Sequence, residues 1–148
     1  MASAKTTSTT AIQPPFKRVE SSEFDTAFAC IAMVCNKSMA DVVAVAVEKF
    51  GHPAKGPYWI TEGLIQKLLA HWGLLATNFK EMDNGVADIK EDVALCMVEY
   101  DDATDVGRFV LFVRDRSNPK QPLEYAIDPA GWVSPDLHLR QDWPQLMP

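Results

Sequence analysis

One segment of the chain, residues 24–35 (FDTAFACIAMVC), restricts the possible folds more than any other because it is apolar on every side after Asp25. Its alanine content favours a helix over a strand. A helix that is apolar around its whole circumference has to be buried between other elements. The sequence therefore predicts a central buried helix, with Asp25 as its N-cap.

Two more helices are predicted after this segment. Ser38 and Asp41 are spaced as a capping box, and the helix that they open should end at Gly51. A third helix should begin near Thr61 and stop at Gly73.

After Gly73 the pattern changes from helical to extended. Residues 74–79 predict a short strand, and residues 93–100, 109–113 and 123–127 predict three further strands separated by turns. Helices that precede an antiparallel sheet are typical of the α+β class. The sequence therefore predicts an α+β fold.

The 148 residues suit a single domain between two irregular ends. Residues 1–18 are predicted to be a flexible tail because they are rich in serine and threonine and contain Pro14-Pro15. The domain itself is assigned to residues 19–132. Residues 133–148 contain three prolines and no periodicity, so they are predicted to be coil on the surface.

The charge of the chain argues against some partners. The formal net charge is −6 and no run of basic residues occurs, so affinity for nucleic acid or anionic membranes is not expected. No apolar stretch is long enough to span a bilayer, and the N-terminus lacks the apolar core of a secretory signal. We expect a cytoplasmic protein without membrane insertion.

The three cysteines, Cys30, Cys35 and Cys96, lie in apolar stretches and are odd in number. A disulfide framework is therefore not expected. A Cys-x4-Cys spacing without neighbouring histidines does not indicate a zinc site. The sequence predicts neither a metal nor a cofactor.

Three short motifs resemble one enzyme family. Residues 25–33 (DTAFACIAM) resemble a nucleophile helix of the type Asp-Cys-Gly-x-Ala-Cys-Leu-Ala-Met. Residues 108–111 (RFVL) resemble a strand that begins His-Phe-Val-Val, and residues 127–130 (IDPA) resemble Ile-Asp-Pro-Ala. The family is that of the bacteriocin-processing peptidases, papain-like enzymes that remove leader peptides. The resemblance covers residues 19–132 and implies a papain-like fold, with N-terminal helices packed on a C-terminal antiparallel sheet.

The chain departs from this family at the catalytic positions. The resemblance places Thr26 at the nucleophilic cysteine, Arg108 at the general-base histidine and Glu20 at the oxyanion-hole glutamine. Only Asp128, which would orient the histidine, is retained. A guanidinium cannot accept a proton, a hydroxyl is harder to ionise than a thiol, and a carboxylate repels an oxyanion. We therefore expect no proteolysis by the family mechanism.

The leading hypothesis from the sequence is a pseudopeptidase that binds a peptide or protein partner in the vestigial cleft. Inactive domains similar to this family hold unfolded substrate for transporters, so a protein ligand is what the resemblance implies. Tyr58 and Trp59 are candidate binding residues at the rim of the cleft, although both rings could instead pack on the core. The oligomeric state is left open.

Two alternatives remain at this stage. The first is an active thiol hydrolase that uses Cys30 with His52, His71 or His138, whereas a core cysteine is the simpler interpretation of Cys30. The second is a domain with an oligomeric or structural role.

The substitutions also carry two structural predictions. Thr26 should begin the central helix, at the bottom of a groove between the helices and the sheet. Arg108 should pair with Asp128 or Glu20, because an unpaired buried cation would be costly.

Overall fold

The computed structural model describes residues 15–54, 60–101, 103 and 106–147. Three helices come first in this part of the chain: α1 (Thr26–Cys35), α2 (Met39–Phe50) and α3 (Glu62–His71). An antiparallel sheet follows in the order β1-β2-β3-β4, with strands Val93–Asp101, Val106–Asp115, Leu123–Ile127 and Leu139–Arg140. Two 3-10 turns (Gly85–Asp88 and Pro135–Leu137) and a short helix, α4 (Trp143–Leu146), complete the described elements. The predicted α+β class is confirmed.

The central helix α1 forms where the sequence predicts it and is buried along its first eight residues, Thr26 to Met33. It ends at Asn36, which adopts a left-handed conformation with φ 57°. Asparagine tolerates this conformation better than most residues. Asp25 is the N-cap residue of α1, as predicted, but its side chain does not bond to the helix, because its carboxylate instead accepts hydrogen bonds from the backbone and hydroxyl of Ser22.

The signals that begin and end the next two helices are confirmed. Ser38 and Asp41 form the reciprocal capping box of α2, and Gly51 ends that helix with φ 70°. The hydroxyl of Thr61 accepts a hydrogen bond from the backbone of Leu64 and so caps α3.

Both faces of the sheet are covered, and β2 lies at its centre. Phe109, Leu111 and Val113 face the helices, in one core cluster with α1. Val110 and Phe112 face the opposite side, in a second cluster that includes Cys96, Val98 and Leu146. Burial on both faces explains why residues 108–113 are almost continuously apolar.

The strand predicted at residues 74–79 does not form. This segment is irregular, and Leu75 is fully exposed. Side-chain hydrogen bonds hold it to α3, since Gln66 donates to the side chain of Asn78 and the carbonyl of Thr77. The segment therefore contacts α3 through side-chain hydrogen bonds instead of pairing as a strand.

The predicted boundaries at both ends of the domain also need correction. Residues 133–148 are not surface coil, because they include β4 and α4, and both Arg140 and Leu146 are buried. At the other end, Phe16 packs against the core, so the domain begins before residue 19. Residues 1–14 of the predicted tail lie outside the described residues.

Within the described residues, no helix by itself combines the length and apolar content needed to cross a bilayer. Taken together, α1 and α2 meet these two criteria, but the pair is bent by 106°.

Candidate functional site

Five charged side chains form a chain of ion pairs that we call the charge network: Glu99, Arg108, Asp128, Arg140 and Asp142. Arg108 donates two hydrogen bonds to Asp128, from Nη1 to Oδ1 at 2.6 Å and from Nη2 to Oδ2 at 2.9 Å. Its Nε donates a third hydrogen bond to the carboxylate of Glu99. Arg140 donates to Asp128 Oδ2 at 2.7 Å and to Asp142 Oδ1 at 2.6 Å. Anions and cations therefore alternate along the whole network.

The network crosses the sheet in strand order. Glu99 lies on β1, Arg108 on β2, Asp128 just after β3, and Arg140 on β4. Arg108 is paired with Val98 and therefore shares the face of Val98, opposite α1. The network therefore joins all four strands on the sheet face away from α1.

Burial makes the central pairs of the network strong and keeps them charged. Asp128 is 0% exposed and Arg108 is 9% exposed. Burial alone would raise the pKa of Asp128, but hydrogen bonds from Arg108, the Ala130 backbone and Arg140 hold it below its ordinary value. Burial likewise opposes the charge of Arg108, yet hydrogen bonds to Asp128 and Glu99 raise its pKa. Neither group can exchange a proton near neutral pH.

Glu99 reaches Arg108 because of an irregularity in β1. The register between β1 and β2 shifts between Val98 and Asp101, and Glu99 has a φ of 52°, which is unusual for a residue with a side chain. Gly107, across from this bulge, is needed for space, because a Cβ there would lie 2.6 Å from Met97 Cγ. Backbone strain of this kind persists only where surrounding contacts compensate for it, and the ion pair to Arg108 is such a contact.

The N-terminal segment of the domain fixes the backbone around Asp128. Arg18 donates from Nε to the Asp128 carbonyl at 2.7 Å and from Nη2 to the Ala130 carbonyl at 2.8 Å. The backbone of Ser21 donates to the Pro129 carbonyl at 2.8 Å. This segment is therefore part of the site, although the sequence assigned residue 18 to the tail.

Thr26 is the first residue of α1, as predicted, and is buried. Its Oγ1 accepts a hydrogen bond of 2.9 Å from the backbone N–H of Phe109, the residue after Arg108. In the described part of the chain, no hydrogen bond joins the Thr26 side chain to Arg108 or Asp128. The hydroxyl therefore anchors α1 to β2 on the helix side of the sheet.

The position of Thr26 at the start of the central helix is as predicted, and the groove at its base stays a prediction. An open depression of about 500 Å³ lies at the other end of α1, where Met33, Asn36 and Lys37 are among the residues that line it.

Glu20 does not join the charge network. Its side chain is 67% exposed and pairs with Arg18 at 3.6 Å. The predicted ion pair of Arg108 is confirmed with Asp128, and the alternative partner Glu20 is wrong. The carboxyl of Glu20 lies beside Gly131 instead, on the surface next to the network.

The thiol of Cys30 is not placed for catalysis. Cys30 is fully buried, and this burial raises its pKa well above the ordinary value, with further contributions from Cys96 and Asp128. The rings of His52 and His71 pack against Phe28 and Trp72 respectively. Throughout the described residues, no side-chain hydrogen bond or ion pair links a histidine or a cysteine to the charge network. His138 contacts the network through its backbone, because its carbonyl accepts a hydrogen bond of 2.9 Å from the N–H of Asp128.

The part of the chain that the structure describes contains no group of three or more histidine, cysteine, aspartate or glutamate side chains that could hold a metal ion.

Four aromatic side chains near the site residues are exposed. We define the aromatic rim as Phe24, Phe79, Tyr100 and Trp132, each 49–58% exposed. The ring of Trp132 lies 5.7 Å from the guanidinium carbon of Arg108, and Phe79 lies 6.1 Å from Phe109, on the helix side of β2. Phe24 precedes Thr26 by two residues, and Tyr100 follows Glu99 in the chain. Trp132 is thus the member of the rim that contacts the charge network.

The predicted binding residues Tyr58 and Trp59 lie outside the described residues. The sequence did not point to Glu99, Arg140, Asp142 or Trp132 as site residues. Arg140 and Asp142 were missed because their segment has no strand pattern, and Glu99 because a bulge is not visible in the sequence. A signal for Trp132 was present, since it follows the Asp-Pro-Ala-Gly stretch that contains Asp128.

No family model, no curated protein and no solved structure matches this chain. The fold and the site define a class of α+β domain in which a buried charge network joins four strands beneath an aromatic rim.

Proposed function

We propose that this domain is a pseudopeptidase, a papain-like cysteine-peptidase domain without the catalytic side chains, which binds a peptide or protein partner. The observation that carries this proposal is the two-bond ion pair between Arg108 and Asp128. By the sequence resemblance, these two residues correspond to the general base of the peptidases and the acid that orients it. A guanidinium that remains protonated fixes the backbone there without supplying a base.

The start of α1 supports the same proposal. By the resemblance, Thr26 corresponds to the nucleophile, and its hydroxyl accepts a hydrogen bond from the Phe109 backbone. The nearest thiol along the helix, Cys30, is fully buried and has a raised pKa, so little thiolate forms at neutral pH. The alternative of an active thiol hydrolase therefore gains no support from these residues.

The aromatic rim supports the binding part of the proposal. Phe24, Phe79, Tyr100 and Trp132 expose large aromatic surfaces, and the ring of Trp132 lies over Arg108 of the charge network. Aromatic side chains are enriched at protein interfaces because they cover a large area with few rotatable bonds. We propose that the rim contacts an unfolded segment of a cytoplasmic partner.

The binding site is tested with a panel of fluorescein-labelled 15-residue peptides of random sequence, whose fluorescence anisotropy is measured against the whole chain. We expect saturable binding that Trp132→Ala or Phe24→Ala weakens about tenfold, the loss of one interface anchor. Leu75→Ala is the matched control, since Leu75 is exposed and apolar but outside the rim. Equal affinities in all variants, or binding to no peptide, would contradict the proposal.

A further inference from the structure

The strand β1 is at the edge of the sheet, because among the described strands it pairs with β2 alone. Its regular pairing runs through residues 93–98, and the bulge at Glu99 ends it. In a paired strand every second residue directs its N–H and C=O away from the neighbour. Within the described part of the chain, no backbone hydrogen bond reaches the outer side of residues 93–98.

The regular part of this edge, residues 93–98, lacks the features that usually protect an edge strand, since the bulge at Glu99 lies beyond it. Residues 93–98 read VALCMV and contain no charge, no proline and no glycine. Exposed edge strands normally carry a lysine, a proline or a bulge that prevents another chain from pairing with them. Val93, Ala94, Leu95 and Met97 are only half-buried, whereas their partners on β2 are buried, so a strand added at this edge would cover apolar surface.

The charges that flank the edge are neutralised within the chain. Asp92, just before β1, pairs with Arg116 at 2.8 Å, and Glu99, just after the regular part, pairs with Arg108. An identical strand arriving in the antiparallel direction would bring a second Asp92 towards Glu99. Because each carboxylate already has its own arginine, the two copies would not meet with unpaired like charges.

We propose that the outer edge of β1 pairs with β1 of a second copy of this chain around a two-fold axis. This pairing joins two four-stranded sheets into one of eight strands. Two-fold contacts between identical surfaces are the commonest form of oligomer, and an uncharged antiparallel edge is self-complementary by construction. The contact lies on the edge of β1 and does not require the peptide binding proposed above.

The pairing is tested by sedimentation equilibrium of the whole chain and by hydrogen exchange at several protein concentrations. We expect a particle of two chains, with amides in residues 93–98 that become protected as the protein concentration rises. Ala94→Lys should weaken association at least tenfold, because it places two new cations at the joined edges. Ala70→Lys is the control, since Ala70 is exposed on α3, away from the sheet edge, and it should associate like the parent.

Hydrogen exchange of each monomer also shows whether Ala94→Lys remains folded, since the core amides of β2 then stay protected. A chain that remains monomeric would overturn the proposal, as would a dimer that Ala94→Lys leaves intact. Protection of residues 93–98 that appears only on addition of a peptide would also overturn it, because the occupant would then be a different chain.

Discussion

At the scale of single residues, Arg108 is central to the stability of the fold, because it donates two hydrogen bonds to Asp128 and a third to Glu99. Asp128 is completely buried, and its charge is acceptable there only because two guanidiniums surround it. Removal of one partner of a buried ion pair is costly because the other charge remains buried.

The first prediction concerns this pair. Arg108→Ala should lower the free energy of unfolding by about 3 kcal/mol, with Arg140 left as the only cation on Asp128. Arg116→Ala, which removes an exposed arginine from its pair with Asp92, should cost less than about 1 kcal/mol. Urea denaturation of the three proteins measures both values. Equal losses in the two variants would show that the central pair does not stabilise the fold.

The second prediction concerns pH. The pKa of Asp128 is lowered in the folded protein, so its contribution to stability is complete above the ordinary value of 3.8 and is lost as the pH falls through the folded pKa. The free energy of unfolding should therefore fall with pH below about 5. In Asp128→Asn this fall should be shallower, although the variant is less stable throughout.

The slope is read from urea denaturation at a series of pH values, with Glu48→Gln as a control for loss of one exposed carboxylate. An acid slope as steep in Asp128→Asn as in the parent would exclude Asp128 as the group responsible.

At the scale of elements, the sheet and α1 are joined through Thr26. The hydroxyl of Thr26 satisfies the backbone N–H of Phe109 in a region where water does not reach. A buried donor that loses its acceptor costs more free energy than an ordinary hydrogen bond contributes.

We therefore predict that Thr26→Val, which keeps the shape of the side chain but removes the oxygen, lowers the free energy of unfolding by about 1–3 kcal/mol. Thr26→Ser, which keeps the acceptor, should lose less. Thermal and urea denaturation of both variants and of the parent measure these differences in the free energy of unfolding. A serine variant that is the less stable of the two would mean that the methyl group matters more than the hydrogen bond.

The elements also show which parts of the fold a sequence can predict. The helix α1, the Ser38 capping box and the strand β3 depend on local patterns, and each was correctly predicted. The two-residue strand β4 depends on a distant partner, since Arg140 pairs with Ala126, and no local pattern marks it. The strand predicted at residues 74–79 does not form, because hydrogen bonds from the Gln66 side chain hold this segment to α3 instead of to a neighbouring strand.

The site was only partly predictable for the same reason. The pairing of Arg108 with Asp128 was expected because the resemblance implies that the two residues lie side by side, and because a lone buried charge would be costly. The contributions of Glu99 and Arg140 depend on the bulge in β1 and on β4, which are products of the complete fold.

At the scale of the whole molecule, a charge network joins the four strands of the sheet, and the exposed ring of Trp132 lies over its central arginine. The proposed binding of a chain that remains intact agrees with this arrangement, because Arg108 and Asp128 both stay charged at neutral pH. Binding without cleavage is therefore the central claim about this domain.

The measurement that tests this claim most directly follows bound and cleaved peptide in the same sample. The unlabelled random peptide pool is incubated with the immobilised chain at neutral pH, and mass spectrometry identifies the retained peptides and any fragments in solution. The account predicts that a subset of the pool is retained at full length, and that no new fragments appear relative to a sample without protein. Fragments that accumulate with time, and that disappear when Cys30 is replaced by alanine, would contradict it.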